Sequence, residues 1–156
     1  MNRLNMKMPK NKAKRKKISK KDKSKQGKKN RAAGARFELK VRGELEKQRW
    51  IIDKWTNNVD LKEEKLVKAK RKYNPFSKIM IIGTGFPDFI AFRIKSNKYE
   101  VIGIEVKGNG WLDKQEKEKC KFLLNKKIFS KILIAKKGKK RGEIEYIDFA
   151  KKHNKT

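Results

Sequence analysis

Two apolar runs separated by a short polar segment constrain the fold of this chain more than any other feature. The runs cover residues 89–92 and 101–106, and residues 95–98 between them are polar and typical of a turn. This pattern predicts two antiparallel strands joined as a hairpin. Residues at the outer ends of the two runs are therefore expected to lie side by side.

Three charged residues stand at those outer ends. Asp88 precedes the first run, whereas Glu105 and Lys107 fall at the end of the second. Side chains two apart on a strand share a face, so Glu105 and Lys107 project together, and the hairpin brings Asp88 beside them. Two carboxylates at one point favour Mg²⁺, which accepts few protein ligands. A neighbouring lysine can hold an attacking water or offset charge on a phosphate.

The alternative interpretation is that Glu105 and Lys107 belong to the solvated polar face of a strand. Gly103 lies between Val101 and Glu105 on that same face. A glycine at this place in a strand indicates that another group approaches the backbone closely. It therefore favours a functional site over a plain solvated face.

The charge of the chain indicates its partner. Its 156 residues include 47 Lys and Arg against 17 Asp and Glu, for a net charge of +30, and nucleic acid is the expected polyanion. No apolar run approaches the roughly 20 residues of a membrane span, so no membrane role is expected. One cysteine and one histidine exclude an internal disulfide and a Cys/His zinc site. Without an apolar signal segment, the predicted location is cytoplasmic.

Composition divides the chain into three parts. Residues 1–31 are strongly basic and without aromatic side chains, which predicts a disordered arm that binds phosphates of DNA or RNA without sequence preference. Residues 32–150 are predicted to form one domain, and residues 151–156 a basic tail.

The fold class predicted for the domain is α/β. Apolar residues every four positions predict a helix from Ala32 to near Arg49, followed by a strand over residues 50–55. After the hairpin, Asp113 and Glu116 match the capping box of a second helix. Residues 129–135 and 143–149 are then predicted as strands.

Residues 57–78 show no sustained period and are predicted to form a long loop. Basic residues are interleaved with Tyr73 and Phe76 in this segment, which suits contacts with a nucleic-acid backbone and with bases. The alternative is a solvated loop. The residues assigned to nucleic-acid binding are Lys68, Lys70, Arg71, Lys72 and Tyr73, together with Arg36 on the first helix.

The order helix, strand, strand, strand, helix, strand resembles the PD-(D/E)xK nuclease superfamily. The sequence elements that carry the resemblance are Glu38 on the first helix, Pro87-Asp88 before the second strand and Glu105-Val106-Lys107 on the third. Within the superfamily, residues 32–149 are similar to the archaeal Holliday junction resolvases and the VRR-NUC group. The resemblance implies a restriction-endonuclease-like αβββαβ core with a mixed central sheet flanked by helices.

The resemblance also implies a role for each residue of the motif. Asp88, Glu105 and the carbonyl of Val106 would bind Mg²⁺, for which Mn²⁺ can substitute, and Lys107 would orient the nucleophilic water. The implied function is a Mg²⁺-dependent endonuclease acting on duplex or branched DNA, with a homodimer as one arrangement. The long insert between Trp55 and Pro87 departs from the junction resolvases and leaves four-way-junction specificity open.

The resemblance also gives roles to two residues that lie at the border of the apolar stripe of the first helix and in the first turn of the second helix. Glu38 would support the metal site, and Gln115 would match a glutamine that follows the motif in many relatives. The alternatives are a surface glutamate and an exposed helical glutamine. For the whole chain, the alternative function is a non-catalytic nucleic-acid-binding protein of ribosomal or chromatin type, in which the carboxylates pair with lysines.

Overall fold

The structure is a computed structural model that describes residues 20–75, 78–82 and 85–153, and its contacts divide the chain into Met1–Ala32 and Ala33–Thr156. In chain order, the elements are α1 (Lys20–Lys47), β1 (Ile51–Lys54), β2 (Asn57–Asp60), β3 (Lys65–Lys68), β4 (Arg71–Asn74), β5 (Ile79–Ile82), β6 (Phe89–Lys95), β7 (Lys98–Val106), α2 (Lys114–Asn125), β8 (Lys131–Lys137), β9 (Ile144–Asp148) and α3 (Phe149–His153).

Both ends of the domain carry more helix than the sequence pattern predicts. Helix α1 begins at Lys20, so the prediction of disorder does not hold for residues 20–31, and residues 1–19 lie outside the described part. Lysine, glutamine, alanine and arginine are good helix formers and extend a helix once it is nucleated. At the other end, α3 occupies the first half of the predicted tail, and residues 154–156 are not described.

A five-stranded sheet in the order β1-β6-β7-β8-β9 forms the centre of the fold. Strands β7 and β8 are parallel, whereas the other neighbouring pairs are antiparallel. Because parallel neighbours need a crossover, helix α2 connects β7 to β8. The predicted α/β class with a mixed sheet flanked by helices is confirmed. None of the helices in the described ranges is long and apolar enough to cross a membrane.

The predicted hairpin is formed by β6 and β7, with Phe89 paired to Ile104 and Lys95 to Lys98. Ser96 and Asn97 make the turn, and both have a positive φ. A two-residue turn of this conformation matches the twist of the strands on either side. This hairpin fixes the outer ends of both strands next to each other.

The insert is not the loop that its sequence predicts. It contains two antiparallel hairpins, β2–β3 and β4–β5. Its strands are short and interrupted by lysines, so no period of two is visible along the sequence. Val59 of β2 is buried in a cluster with Phe86 and Leu112, which ties the first hairpin to the domain.

Each face of the central sheet is covered by a helix. On one face, Phe37, Val41 and Leu45 of α1 pack against the sheet in one core cluster. On the other face, Cys120 and Leu123 of α2 belong to a second cluster. The face that carries Glu105 is therefore not the solvated surface of an open sheet, and Glu105 is only 4% exposed.

Gly103 is required by packing within the protein. A Cβ at this position would lie 2.8 Å from Pro87 Cγ and 3.2 Å from a ring carbon of Phe129. The close approach that the sequence indicates is thus made by Pro87, the residue before Asp88, rather than by a ligand.

We expect Gly103→Ala to destabilise the domain by about 1–3 kcal/mol, because Pro87 and Phe129 are buried and rigid. Denaturant unfolding measures the change. Gly43→Ala is the matched control, since no atom lies within 4 Å of a Cβ there, and it should be neutral or stabilising in helix α1. Equal stability of Gly103→Ala and the parent would contradict the packing described for Pro87.

Candidate active site

The register of the hairpin places Asp88 opposite Glu105. Phe89 is paired with Ile104, so one further step outward brings the two acidic residues into neighbouring positions. The Asp88 carboxylate accepts a hydrogen bond of 2.8 Å from the Val106 backbone N–H. Its carbonyl accepts another of 3.1 Å from the Trp55 N–H. Asp88 is therefore held between the ends of β1 and β7.

Among the charged side chains whose burial the structure describes, Glu105 is the only buried one. Its Oε1 lies 3.2 Å from Lys107 Nζ, whereas its Oε2 is buried without a hydrogen-bond partner. Burial raises the pKa of the Glu105 carboxyl to about 8, and the charge of Asp88 adds to the shift. An unpaired buried carboxylate oxygen costs free energy, and a cation at this point would offset that cost.

Lys107 bridges two carboxylates. Besides its contact with Glu105, its Nζ donates a hydrogen bond of 2.5 Å to Glu116 Oε1. Burial lowers the pKa of the Lys107 ammonium, but the hydrogen bond to Glu116 and the charge of Glu105 outweigh it, so the net shift is upward. The Lys107 ammonium therefore stays charged and is held between Glu105 and Glu116.

Glu116 is the residue of this site that the sequence did not assign to it. It forms the predicted capping box, in which its Oε2 accepts from the Asp113 N–H and its own N–H donates to Asp113 Oδ1. Its other oxygen, Oε1, contacts Lys107. The capping pattern is visible in the sequence, but the contact with Lys107 depends on how α2 packs beside β7.

The charge of Glu38 acts on the carboxyl of Asp88. Burial is the main cause that raises the pKa of Asp88, the hydrogen bond from Val106 opposes it, and the charge of Glu38 raises it further. Glu38 is half-buried on α1. The described contacts show no hydrogen bond from Glu38 to a site residue, so its predicted supporting role remains a prediction.

Gln115 lies at the beginning of α2, next to Glu116 in the sequence. It is exposed and lines a cleft of about 640 Å³ between α2 and the β2–β3 hairpin, and no contact between Gln115 and Lys107 is seen in the described part of the chain. We call this the hairpin cleft. Its basic lining residues are Lys62, Lys68, Lys70 and Lys119.

Two of the predicted nucleic-acid contacts, Lys68 and Lys70, therefore share the hairpin cleft with Gln115. Tyr73 is 59% exposed on β4. The side chains of Arg71 and Lys72 lie outside the described part of the structure.

Arg36 lines a second cleft, of about 720 Å³, between α1 and the turn from β8 to β9, which we call the helix cleft. Its other basic lining residues were not predicted from the sequence, because four of the five lie about 100 residues beyond α1 in the chain. They are Lys40, Lys137, Lys139, Lys140 and Arg141. Glu143 is its one acidic lining residue. Lys40 Nζ donates a hydrogen bond to the Gly142 carbonyl, which joins the two sides of the cleft.

Asp88 and Glu105 are the two carboxylates that could hold a metal ion at this point. Within the described ranges, no group of three or more His, Cys, Asp or Glu side chains is placed to hold a metal ion. Mg²⁺ usually takes only one or two carboxylates and keeps several waters. Asp88 and Glu105, with the unpartnered Oε2, therefore fit Mg²⁺ better than a cation that needs a full protein cage.

If Lys107 orients the water in DNA cleavage, as the resemblance implies, we expect Glu116→Gln to lower the cleavage rate by roughly 10- to 100-fold. This is the effect of removing partners that orient metal-site residues. The amide can still accept from the Asp113 N–H but no longer attracts the ammonium. Cleavage rates and thermal unfolding should be measured together, with Glu118→Gln on the exposed side of α2 as the control. If Glu116→Gln lowers the melting temperature enough to account for the lost activity by unfolding, a role in positioning Lys107 is contradicted.

Comparisons with family models, with curated proteins and with solved structures gave no significant match to this chain.

Proposed function

We propose that this chain is a Mg²⁺-dependent endodeoxyribonuclease of the PD-(D/E)xK type, with a restriction-endonuclease-like core. The observation that carries the proposal is the 2.8 Å hydrogen bond between Asp88 and the Val106 N–H. It joins Asp88, the residue after Pro87, to the Glu105-Val106-Lys107 triplet across the β6–β7 hairpin. Lys107 Nζ lies 3.2 Å from Glu105 at the same point.

Asp88, Glu105 and the Val106 carbonyl would hold Mg²⁺, which, when bound, supplies a water of lowered pKa and neutralises charge on a phosphate. The unpartnered Glu105 Oε2 supports this assignment, because a buried carboxylate oxygen needs a compensating charge. Mn²⁺ is an alternative cation with the same preference for oxygen ligands.

Lys107 would act through its charge. Its ammonium can donate a hydrogen bond to the attacking water or to a phosphate oxygen, and its raised pKa makes it unsuited to accept a proton at neutral pH. Glu116 fixes the position of this ammonium. Asp88 and Glu105 would be the hydrogen-bond acceptors that orient the attacking water.

The two clefts would bind the DNA backbone on either side of the site. Gln115 of the hairpin cleft is adjacent in sequence to Glu116, and the Lys137 side chain of the helix cleft lies beside Gly108, directly after Lys107. Lysines that contact DNA phosphates give an affinity that does not depend on the DNA sequence and that weakens as the salt concentration rises. This arrangement supports a duplex, or the arm of a branched DNA, as substrate.

The test is cleavage of supercoiled plasmid by the purified chain in Mg²⁺, in Mn²⁺ and in EDTA. We expect nicked and linear products with either metal and none in EDTA. Asp88→Ala is the control for a contaminating nuclease, because it removes one carboxylate without changing the basic surface. Equal cleavage by the Asp88→Ala protein would overturn the proposal.

A non-catalytic nucleic-acid-binding protein is the second candidate. The observation that favours it is the pairing of Lys107 with Glu105 and Glu116, since these ion pairs satisfy the lysine without any substrate. The same plasmid experiment separates the two functions. Tight binding in a mobility-shift assay, without cleavage in any metal, would support the binder.

A further inference from the structure

An exposed tryptophan lies on the segment that connects Lys107 to α2. Trp111 is 72% exposed, more than any other large hydrophobic residue whose side-chain exposure the structure describes. The next residue, Leu112, is 2% exposed and belongs to the core cluster under α2. The chain therefore buries Leu112 and leaves the larger indole side chain of Trp111 in water.

The backbone on both sides of Trp111 is fixed. The Gly110 N–H donates to the Lys107 carbonyl at 2.8 Å, and the Trp111 N–H donates to Asn109 Oδ1 at 3.1 Å. Gly110 has a φ of +71°, which a residue with a side chain rarely adopts. Trp111 thus projects from a defined turn, and little conformational freedom of its backbone remains to be lost on binding.

A cation accompanies the indole ring. Lys117 Nζ lies 5.5 Å from the ring centroid, within the range of a cation–π interaction. An aromatic plane beside an ammonium is the combination that binds a base by its face and the neighbouring phosphate by its charge. An apolar protein partner would not need the ammonium.

Trp111 is also close to the candidate site. Trp111 is four positions after Lys107, so their Cα atoms are at most roughly 14 Å apart. The ion pair between Lys107 and Glu116 joins the two ends of the segment 107–116, in which Trp111 lies. At about 3.4 Å of rise per nucleotide along one strand, the ring can reach a base within about four nucleotides of a phosphate at Lys107.

We propose that Trp111 stacks on an unpaired base and thereby selects DNA with an unpaired base near the phosphate that is cut. This inference rests on the proposed function for its ligand class. In a continuous duplex both faces of each base are already stacked, so only a gap, a bulge, a branch point or a single strand offers a free face to the indole. The substrate class is therefore DNA with locally interrupted pairing.

The experiment compares two synthetic DNAs, a continuous duplex and the same duplex with a short single-stranded gap. Binding is measured in EDTA, so that no cleavage interferes, by mobility shift and by tryptophan fluorescence. Trp50 is buried and Trp55 is half-buried, so the signal lost in Trp111→Phe identifies the part due to Trp111. Gapped DNA should quench that part, and the duplex should not.

Trp111→Ala should weaken binding of the gapped DNA by roughly 5- to 150-fold, the range measured for loss of one base–aromatic stack, and leave duplex affinity unchanged. Trp111→Phe should weaken it less, because phenylalanine also stacks. Tyr99→Ala is the matched control: Tyr99 is 70% exposed but stands at the opposite end of β7, and its loss should alter neither affinity.

Equal losses on gapped DNA and duplex, or no loss on either, would overturn the stacking role of Trp111. These outcomes are independent of the proposed cleavage, which is read from plasmid nicking in Mg²⁺. A chain that nicks plasmid but fails the gap comparison keeps the nuclease function without this selectivity. A chain that prefers gapped DNA through Trp111 but never nicks keeps the stacking site without the nuclease function.

Discussion

Asp88→Asn is expected to reduce Mg²⁺-dependent cleavage by about 10²- to 10³-fold while DNA binding persists, the range for loss of one well-placed electrostatic group in an active site. The change removes the negative charge that the proposed cation needs. The amide oxygen can still accept from the Val106 N–H, so the strand ends stay joined. Removing one of the two neighbouring acids that repel each other should also leave the protein at least as stable as before.

Single-turnover cleavage and mobility-shift titration of the same preparation measure the two effects. Glu100→Gln is the matched control, because Glu100 is also a partly buried acid on β7, where it pairs with Arg93 far from the site. Its loss should change cleavage little. If Asp88→Asn and Glu100→Gln lower cleavage equally, the acidic pair has no special role.

The second large effect is the pH dependence of stability in the metal-free protein. The pKa of Glu105 rises from 4.5 in the unfolded chain to about 8 in the fold, because burial and Asp88 disfavour its charge. Between these values the folded protein holds a proton that the unfolded chain has lost. Stability is therefore full below pH 4.5 and falls as pH rises through about 8, by up to about 1.4 kcal/mol per pH unit.

Urea unfolding in EDTA from pH 5 to pH 8.5 measures this decline, which sums to roughly 4 kcal/mol. Asp88, whose pKa is also raised by burial, contributes in the same direction. Glu105→Gln should flatten most of the slope, since the amide does not ionise. Identical slopes in the parent and Glu105→Gln would show that Glu105 is not the ionising group.

Mg²⁺ should act in the opposite direction to this pH effect. A cation bound to the ionised form of Glu105 stabilises the fold more at pH 8 than at pH 5, because more of the carboxylate is then available to bind it. The rise in melting temperature with added Mg²⁺ at each pH tests metal binding without any reference to cleavage.

The sequence predicts the parts of this structure that depend on neighbouring residues. The hairpin of β6 and β7 follows from two apolar runs and a polar turn, and the start of α2 follows from the spacing of Asp113 and Glu116. The meeting of Asp88 with the end of β7 follows from the hairpin register alone. All of these signals lie within a few residues of each other, or across one turn.

Features that depend on distant parts of the chain were not predicted. The strands of the insert are short, and the tertiary contacts of Val59 hold the first hairpin in place where its sequence gives no periodic signal. The burial of Glu105 depends on how α2 covers its face of the sheet. The helix cleft joins α1 to a turn about 100 residues later in the chain, so no local pattern reveals it.

The two oxygens of Glu116 serve two different tasks, one at the beginning of a helix and one at an ammonium. Asp113 holds the same carboxylate in place through the capping box, although no contact between Asp113 and Lys107 is seen in the described residues. An alteration of Asp113 would therefore be transmitted to Lys107 by a change in the rotamer of Glu116. Variation at an ordinary helix cap would in this way alter chemistry in the neighbouring strand, and substitutions at Asp113 and Lys107 would not be additive.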